Sequence, residues 1–334
     1  MPVPTVTAAP AGRHALGGLA VLAALAATLL GVPALIEATG RSDLYYTLTS
    51  VALLAIAAGG VWLTFYIGRI NIGQAAYGLA GGYVSAILVA GYGVNFWLTL
   101  PVAGLFCAGL AVLIGLPILR LRGVYFAMVT LVLTEVARLA ALALTITNGA
   151  KGIVSIPLPQ ELSLLGLTLA PDFATLANPR RAFYLVSVTL AAIVFAGLYR
   201  LVHSRLGHLC QSLRQNEELA SSIGVNITYL RVLAYAISSF LGGLGGAMFV
   251  AISQSIYPSS FTVTDSVNFM LSCFLGGLGY VLGPLVGTFV LYFGWDFLFR
   301  FGEYQLLIYS SLLIALMLVL PNGILSLGRR GGAR

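Results

Sequence analysis

The chain has 334 residues, of which 59% are hydrophobic and only 8% charged, with a formal net charge of +7. A soluble domain carries about 25% charged residues, so this composition argues against soluble enzymes, nucleic-acid modules and disordered proteins. It points to a polytopic membrane protein. Sixteen of the 17 basic residues are arginines spread over short segments between apolar runs. That distribution reads as membrane topology, not as a nucleic-acid face.

A bilayer core about 30 Å thick needs roughly 20 apolar residues as helix. Spans are expected at 16–36, 45–67, 74–92, 96–119, 124–147, 182–202, 231–252 and 304–320. The first run is long for the apolar part of a signal peptide, and Glu37-Ala38-Thr39-Gly40 is a poor cleavage site, so it is read as a span. The stretch 266–299 is apolar but broken by Gly276-Gly277-Leu278-Gly279 and Gly283-Pro284. It is read as two short spans or a re-entrant pair, whose exposed backbone must be shielded by protein or line a cavity. The fold class is thus all-α, a transmembrane helical bundle of about eight spans, or ten if the broken pair crosses. The chain is expected to be one domain over 1–334.

With the N-terminus in the cytoplasm, eleven basic residues fall inside, five fall outside and Arg138 lies within a span. This bias predicts cytoplasmic N- and C-termini. The outer segment 148–181 carries Pro157, Pro159, Pro171 and Pro179, and the inner segment 203–230 is polar and long enough for a surface helix. The one lysine, Lys151, is followed by Gly152, so a G-x-x-x-x-G-K-[ST] phosphate loop is absent. Cys107, Cys210 and Cys273 are read as small apolar fillers, and no Cys/His cluster has metal-ligand spacing.

In the inner segment Leu206, Leu209, Leu213 and Ala220 recur at helical spacing, with Arg214 and Glu217 on the polar side and Gly224 as a C-cap. A short amphipathic helix here either lies on the membrane or inserts into a groove of a cytosolic partner. At this loop the sequence resembles the permease subunits of branched-chain amino acid ABC importers, the LivM/LivH type, and LivM more closely. Gly207, Arg214, Asn216, Glu217, Ala220, Gly224, Val225 and Asn226 match that family's coupling loop, and His208 stands where Arg is usual. Asn71-Ile72-Gly73-Gln74-Ala75-Ala76-Tyr77, Arg122-Gly123-Val124-Tyr125, Thr147-Asn148-Gly149, Tyr257-Pro258-Ser259-Ser260-Phe261 and Gly276-Gly277-Leu278-Gly279-Tyr280 are similar to further family stretches, in order.

Glu135 and Arg138 are two charges in the middle of one span, at i and i+3. Unpaired, each costs at least roughly 2.5–3.5 kcal/mol at the membrane centre. Two readings stand: a polar patch on the substrate path with Thr130, Thr134 and Tyr125, or an internal pair that fixes helix rotation. Gly78, Gly82, Gly242, Gly243, Gly245 and Gly246 sit at spacings that let helices approach closely. The break at Gly276, Gly277 and Gly279 is either a structural turn or an exposed helix end facing a zwitterionic substrate.

The resemblance implies a bacterial inner-membrane importer subunit with no catalytic site, no metal and no cofactor of its own. Its implied partners are a second, LivH-like permease, two ATP-binding subunits that hold ATP and Mg, a periplasmic substrate-binding protein and membrane lipid, with no nucleic acid. Leucine, isoleucine and valine are the implied cargo. The competing reading is a stand-alone secondary transporter or channel, which calls for more intramembrane ionisable residues or for broken helices in both halves of the chain.

Overall fold

The computed structural model describes residues 27–327 apart from 122, 165–166, 171, 174, 177, 223 and 321. The first expected span therefore lies outside the described residues up to position 26. A π-helical turn at Ala27–Gly31 leads into α1 (Val32–Thr39), which Gly40 ends in the left-handed region at φ 66. The next expected spans appear as α2 (Asp43–Tyr66), α3 (Gln74–Ala86, extended by a π-helical turn Ile87–Gly91) and α4 (Phe96–Ile118). They are followed by α5 (Val124–Ala143) and α6 (Pro179–Val202). Two short helices, α7 (Arg205–Gln215) and α8 (Glu217–Ser222), precede α9 (Ile227–Ser253). The broken stretch forms α10 (Val263–Gly276) and α11 (Gly283–Leu298), and α12 (Gln305–Val319) closes the order. The outer segment adds a small antiparallel hairpin, β1 (Leu162–Leu164) with β2 (Leu167–Ala170). Among the described residues, six helical stretches are long and apolar enough to cross a membrane. The protein is a multi-pass, all-α membrane bundle.

α9 is the centre of the bundle, packed against α2, α3 and α4. Small residues make that possible. Gly81 faces Gly243 and Gly246 faces the Gly78 carbonyl, so closely that a Cβ at either site would enter the neighbouring backbone. The glycine spacing read from the sequence is thus a helix crossing. Buried residues of α2, α3, α4, α6, α9 and α10 form one continuous cluster that includes Trp62, Leu63, Leu79, Phe195, Met248 and Phe269.

The loops gather at two ends. At one, Arg69 donates to the Leu121 carbonyl, Gly68 lies against Arg214, and Trp62 Nε1 donates to the Leu278 carbonyl at 3.0 Å. At the other, Asn95 and Trp97 donate to the Glu161 and Gln160 carbonyls, and Ile153 pairs with Ile256. The outer segment is folded down on the bundle: Phe173 is buried between Trp97 and Phe183.

The gaps expected between the spans 45–67 and 74–92, and after 252, are present as non-helical segments at 67–73 and 254–262, and both run into the bundle. From Arg69 at the bundle end, the non-helical segment 67–73 climbs into the bundle, and α3 starts there. The Ile72 amide donates to Thr130 Oγ1 (3.1 Å), Gly73 to Asn71 Oδ1 (2.9 Å) and Ala75 to Ser266 Oγ (3.0 Å). The Gln74 amide clamps α9, donating to the Ser238 carbonyl at 2.9 Å while accepting from Ser238 Oγ at 3.2 Å. On the other side, residues 254–262 descend from the Ile153–Ile256 bridge to Phe261, which packs on Gly78. There Thr262 and Asp265 close a reciprocal cap on α10. Polar side chains thus supply the bonds that helix would otherwise have made, as non-helical backbone at membrane depth requires.

Gly246→Ala is expected to lower the thermal stability of the detergent-solubilised protein by about 1–3 kcal/mol or more. Gly109→Ala, at an α4 position with open space around it, is expected to leave stability unchanged or raise it by about 0.5–1 kcal/mol. Equal effects at both sites would contradict the crossing. Gln74→Leu is expected to destabilise by about 1–3 kcal/mol, read from the same melting curves.

Candidate functional site

The expected coupling residues are contiguous at one end of the bundle. Ser204 opens α7 by accepting from the Gly207 amide, and Gly207 lies so close to the Leu201 and Val202 carbonyls that no side chain fits. Gly207, Cys210 and Leu213 form the buried stripe of α7. The sequence pattern put Leu206 on one apolar face with Leu209 and Leu213; in the structure the buried side of α7 is instead this stripe. Leu206 is exposed, because the close fit at Gly207 sets the rotation of the helix. Burial pushes the Cys210 thiol up from its ordinary pKa, which keeps it protonated and inert.

Asn216 leaves the helical region and accepts from the Leu219 amide at 3.0 Å, starting α8. Ala220 is buried, Gly224 turns the chain at φ 84, and Asn226 caps α9 by accepting from the Tyr229 amide at 3.0 Å. Glu217 does not project freely. It pairs with Arg231 on the first turns of α9, with side chains 29% and 11% exposed respectively. Of the matched residues, Arg214 alone presents a charged side chain outward. The outward face is completed by Arg205, Leu206, His208, Gln211, Glu218 and Leu219, and Leu219 is 64% exposed. The motif residues therefore shape the element, and their neighbours form its surface.

The expected path residues divide into three groups. Thr130 and Thr134 are buried together in the interior: Thr130 accepts from Ile72, and Thr134 bonds Ser266 at 3.2 Å. Glu135 and Arg138 lie on the outward side of the same helix, with Arg138 Nε 3.0 Å from Glu135 Oε2, and Tyr125 is exposed on that side too. Gly276, Gly277 and Gly279 sit in the turn at the bundle end, where Gly277 (φ 110) lies against Asn322 and Gly323. That turn is separated from the threonines by the length of α10.

Asn71, Gln74, Ser238 and Ser266 share the interior with Thr130 and Thr134, all essentially inaccessible. Sequence reasoning did not single them out as site residues. The available signal was Asn71 and Gln74 standing in an otherwise apolar run; Ser238 and Ser266 gave none, because lone serines are common in membrane helices.

A family model described as branched-chain amino acid transport system / permease component matches residues 44–321. The high-affinity branched-chain amino acid transport system permease protein LivM of Salmonella typhimurium is 32% identical over 278 residues, covering 78% of this chain and 65% of that protein. The probable branched-chain amino acid transport permease protein LivH of Methanocaldococcus jannaschii is 26% identical over 294 residues, covering 81% of this chain and 88% of that protein. The ribose import permease protein RbsC of Escherichia coli is 28% identical over 141 residues, covering 40% and 44%. The chain thus spans just under two thirds of the length of the LivM relative. No solved structure matches it. With the expected spans from 45 onward present as helices and the family model covering 44–321, the chain belongs to the family of branched-chain amino acid transport system permease components.

Proposed function

We propose that the chain is one membrane-spanning permease subunit of an ATP-driven importer for branched-chain or related amino acids. A substrate-binding protein delivers the cargo at the end carrying the 148–178 segment. Two ATP-binding subunits, which hold the ATP and Mg, grip the opposite end, and a second, LivH-like permease completes the membrane part. The chain catalyses no reaction itself. It sits in the bacterial inner membrane with both termini in the cytoplasm.

The observation that carries this reading is the build of 204–226. A buried stripe, two caps and the Glu217–Arg231 pair fix a two-helix element to the end of the bundle, and its outer face of Arg214, Leu206 and Leu219 is left uncovered by this chain. A rigid handle with an apolar tip and a basic flank suits insertion into a groove of a cytosolic subunit. ATP-driven closure of the partner subunits then moves this element. Because Gly68 lies against Arg214, the motion reaches the end of α2 and the start of the 67–73 segment as well as the end of α6.

The stand-alone transporter gains one specific observation: non-helical connections run into the bundle in both halves of the chain, at 67–73 and at 254–262. Against it, the polar groups around the 67–73 segment are bonded to one another, through Thr130, Thr134, Ser238 and Ser266. Co-isolation with ATP-binding subunits supports the importer, and activity of the lone chain in vesicles supports the alternative.

Leu219→Asp and Arg214→Glu are each expected to reduce ATP-driven uptake about tenfold or more, the scale of losing one interface anchor. Membrane insertion and melting temperature should be unchanged. Uptake at the unmodified rate in proteoliposomes would remove the coupling role. Glu217→Gln acts differently. It leaves the largely buried Arg231 charge without its carboxylate and should cost about 1–2 kcal/mol of stability, between the exposed and buried limits for an ion pair. A shift in melting temperature that accompanies the uptake defect distinguishes this bracing role from direct contact.

A further inference from the structure

α5 is a peripheral helix. Only 28% of its most apolar window is buried, against 83% for α2. Its inner side is bonded to the bundle through Thr130 and Thr134. Its outer side carries Tyr125, Met128, Val132, Val136 and Leu139, all more than half exposed, at the spacing of one helical stripe.

Glu135 and Arg138 flank this stripe, on the side toward the buried Thr134. They are the twelfth and fifteenth of the 20 residues of α5, so they sit about 17 and 21 Å along a helix about as long as the hydrocarbon layer is thick. Their side chains are 42% and 32% exposed. The outward faces of α4 and α12 carry apolar side chains and serines but no charge. Among the described helices, only α5 presents charge outward at mid-length.

Lipid is a poor neighbour for this pair. Each charge at the bilayer centre costs about 2.5–3.5 kcal/mol, and pairing does not cancel the desolvation of both groups. The pair engages Nε and Nη2 of Arg138, whereas a guanidinium has five N–H donors. The rest of the guanidinium needs polar partners that acyl chains cannot supply. A soluble protein cannot reach this depth, so the neighbour is another membrane-spanning chain.

We infer that the Tyr125–Leu139 face of α5 is the seam on which the second permease chain docks, with the Glu135–Arg138 pair enclosed in that seam. The inference rests on the proposed reading of this chain as one of two permeases in an importer.

The test is spin labelling of the uptake-competent assembly, containing both permease chains, in phosphatidylethanolamine/phosphatidylglycerol vesicles. One label is placed at Val132→Cys and a control label at Leu113→Cys, on the exposed apolar face of α4. The native cysteines are buried, and their residual labelling is subtracted. Accessibility to dissolved oxygen, which partitions into lipid, is expected to be several-fold lower at 132 than at 113. If Val132→Cys disturbs assembly, Met128→Cys on the same stripe carries the same measurement. Equal accessibility at both positions in an assembly that takes up solute overturns the seam and leaves the permease reading standing. A shielded position 132 in an assembly without ATP-driven uptake upholds the seam and overturns that reading instead.

Discussion

Backbone amides inside a bilayer have no water to turn to, so every departure from helix must be answered by a side chain. Here the departures at 67–73 and 254–262 are answered by a small set of residues from five elements. Asn71, Thr130 and Ser266 accept from the freed amides, Gln74 and Ser238 tie that segment to α9, and Thr262 with Asp265 caps the helix that begins nearby. The starts of α3 and α10 inside the bundle depend on this brace, and so does the glycine-mediated contact of α3 with α9.

The brace and the cytosol-facing handle of the proposed importer are neighbours. The Arg214 backbone rests on Gly68, and the 67–73 segment runs from there to Gln74. A displacement of α7 therefore reaches, besides the ends of α6 and α9, a part of the bundle held by few helical hydrogen bonds. In the proposed cycle this is the region suited to change shape, because its backbone is held by individual side-chain bonds and not by a continuous helical ladder.

Much of the fold was legible in the sequence because the lipid constraint writes itself as long apolar runs. The observed helices begin and end close to the expected spans, and the Gly242–Gly246 pattern proved to be a crossing. The break near 276–284 was visible from its glycines, but its depth was not. Only the bond from Trp62 to Leu278 fixes it at the bundle end. The loop at 67–73 was expected between the spans 45–67 and 74–92, but its course into the bundle was not, because it shows only in contacts with residues distant in sequence. Its partners, Ser238 and Ser266, are distant in sequence and carry no local signal. Similarly, hydrophobic periodicity put Leu206 on one face with Leu213, and the contact of Gly207 with the end of α6 buries Leu213 and leaves Leu206 exposed.

The central claim is that the 204–226 element is gripped by an ATP-binding subunit. Photo-crosslinking from position 219 in the intact assembly tests it most directly, with a second probe at Val154, exposed at the opposite end of the bundle. The account predicts that position 219 crosslinks to the ATP-binding subunit and position 154 does not. An ATP-binding subunit captured from 154, or none captured from 219 in an assembly that hydrolyses ATP and transports, would contradict it.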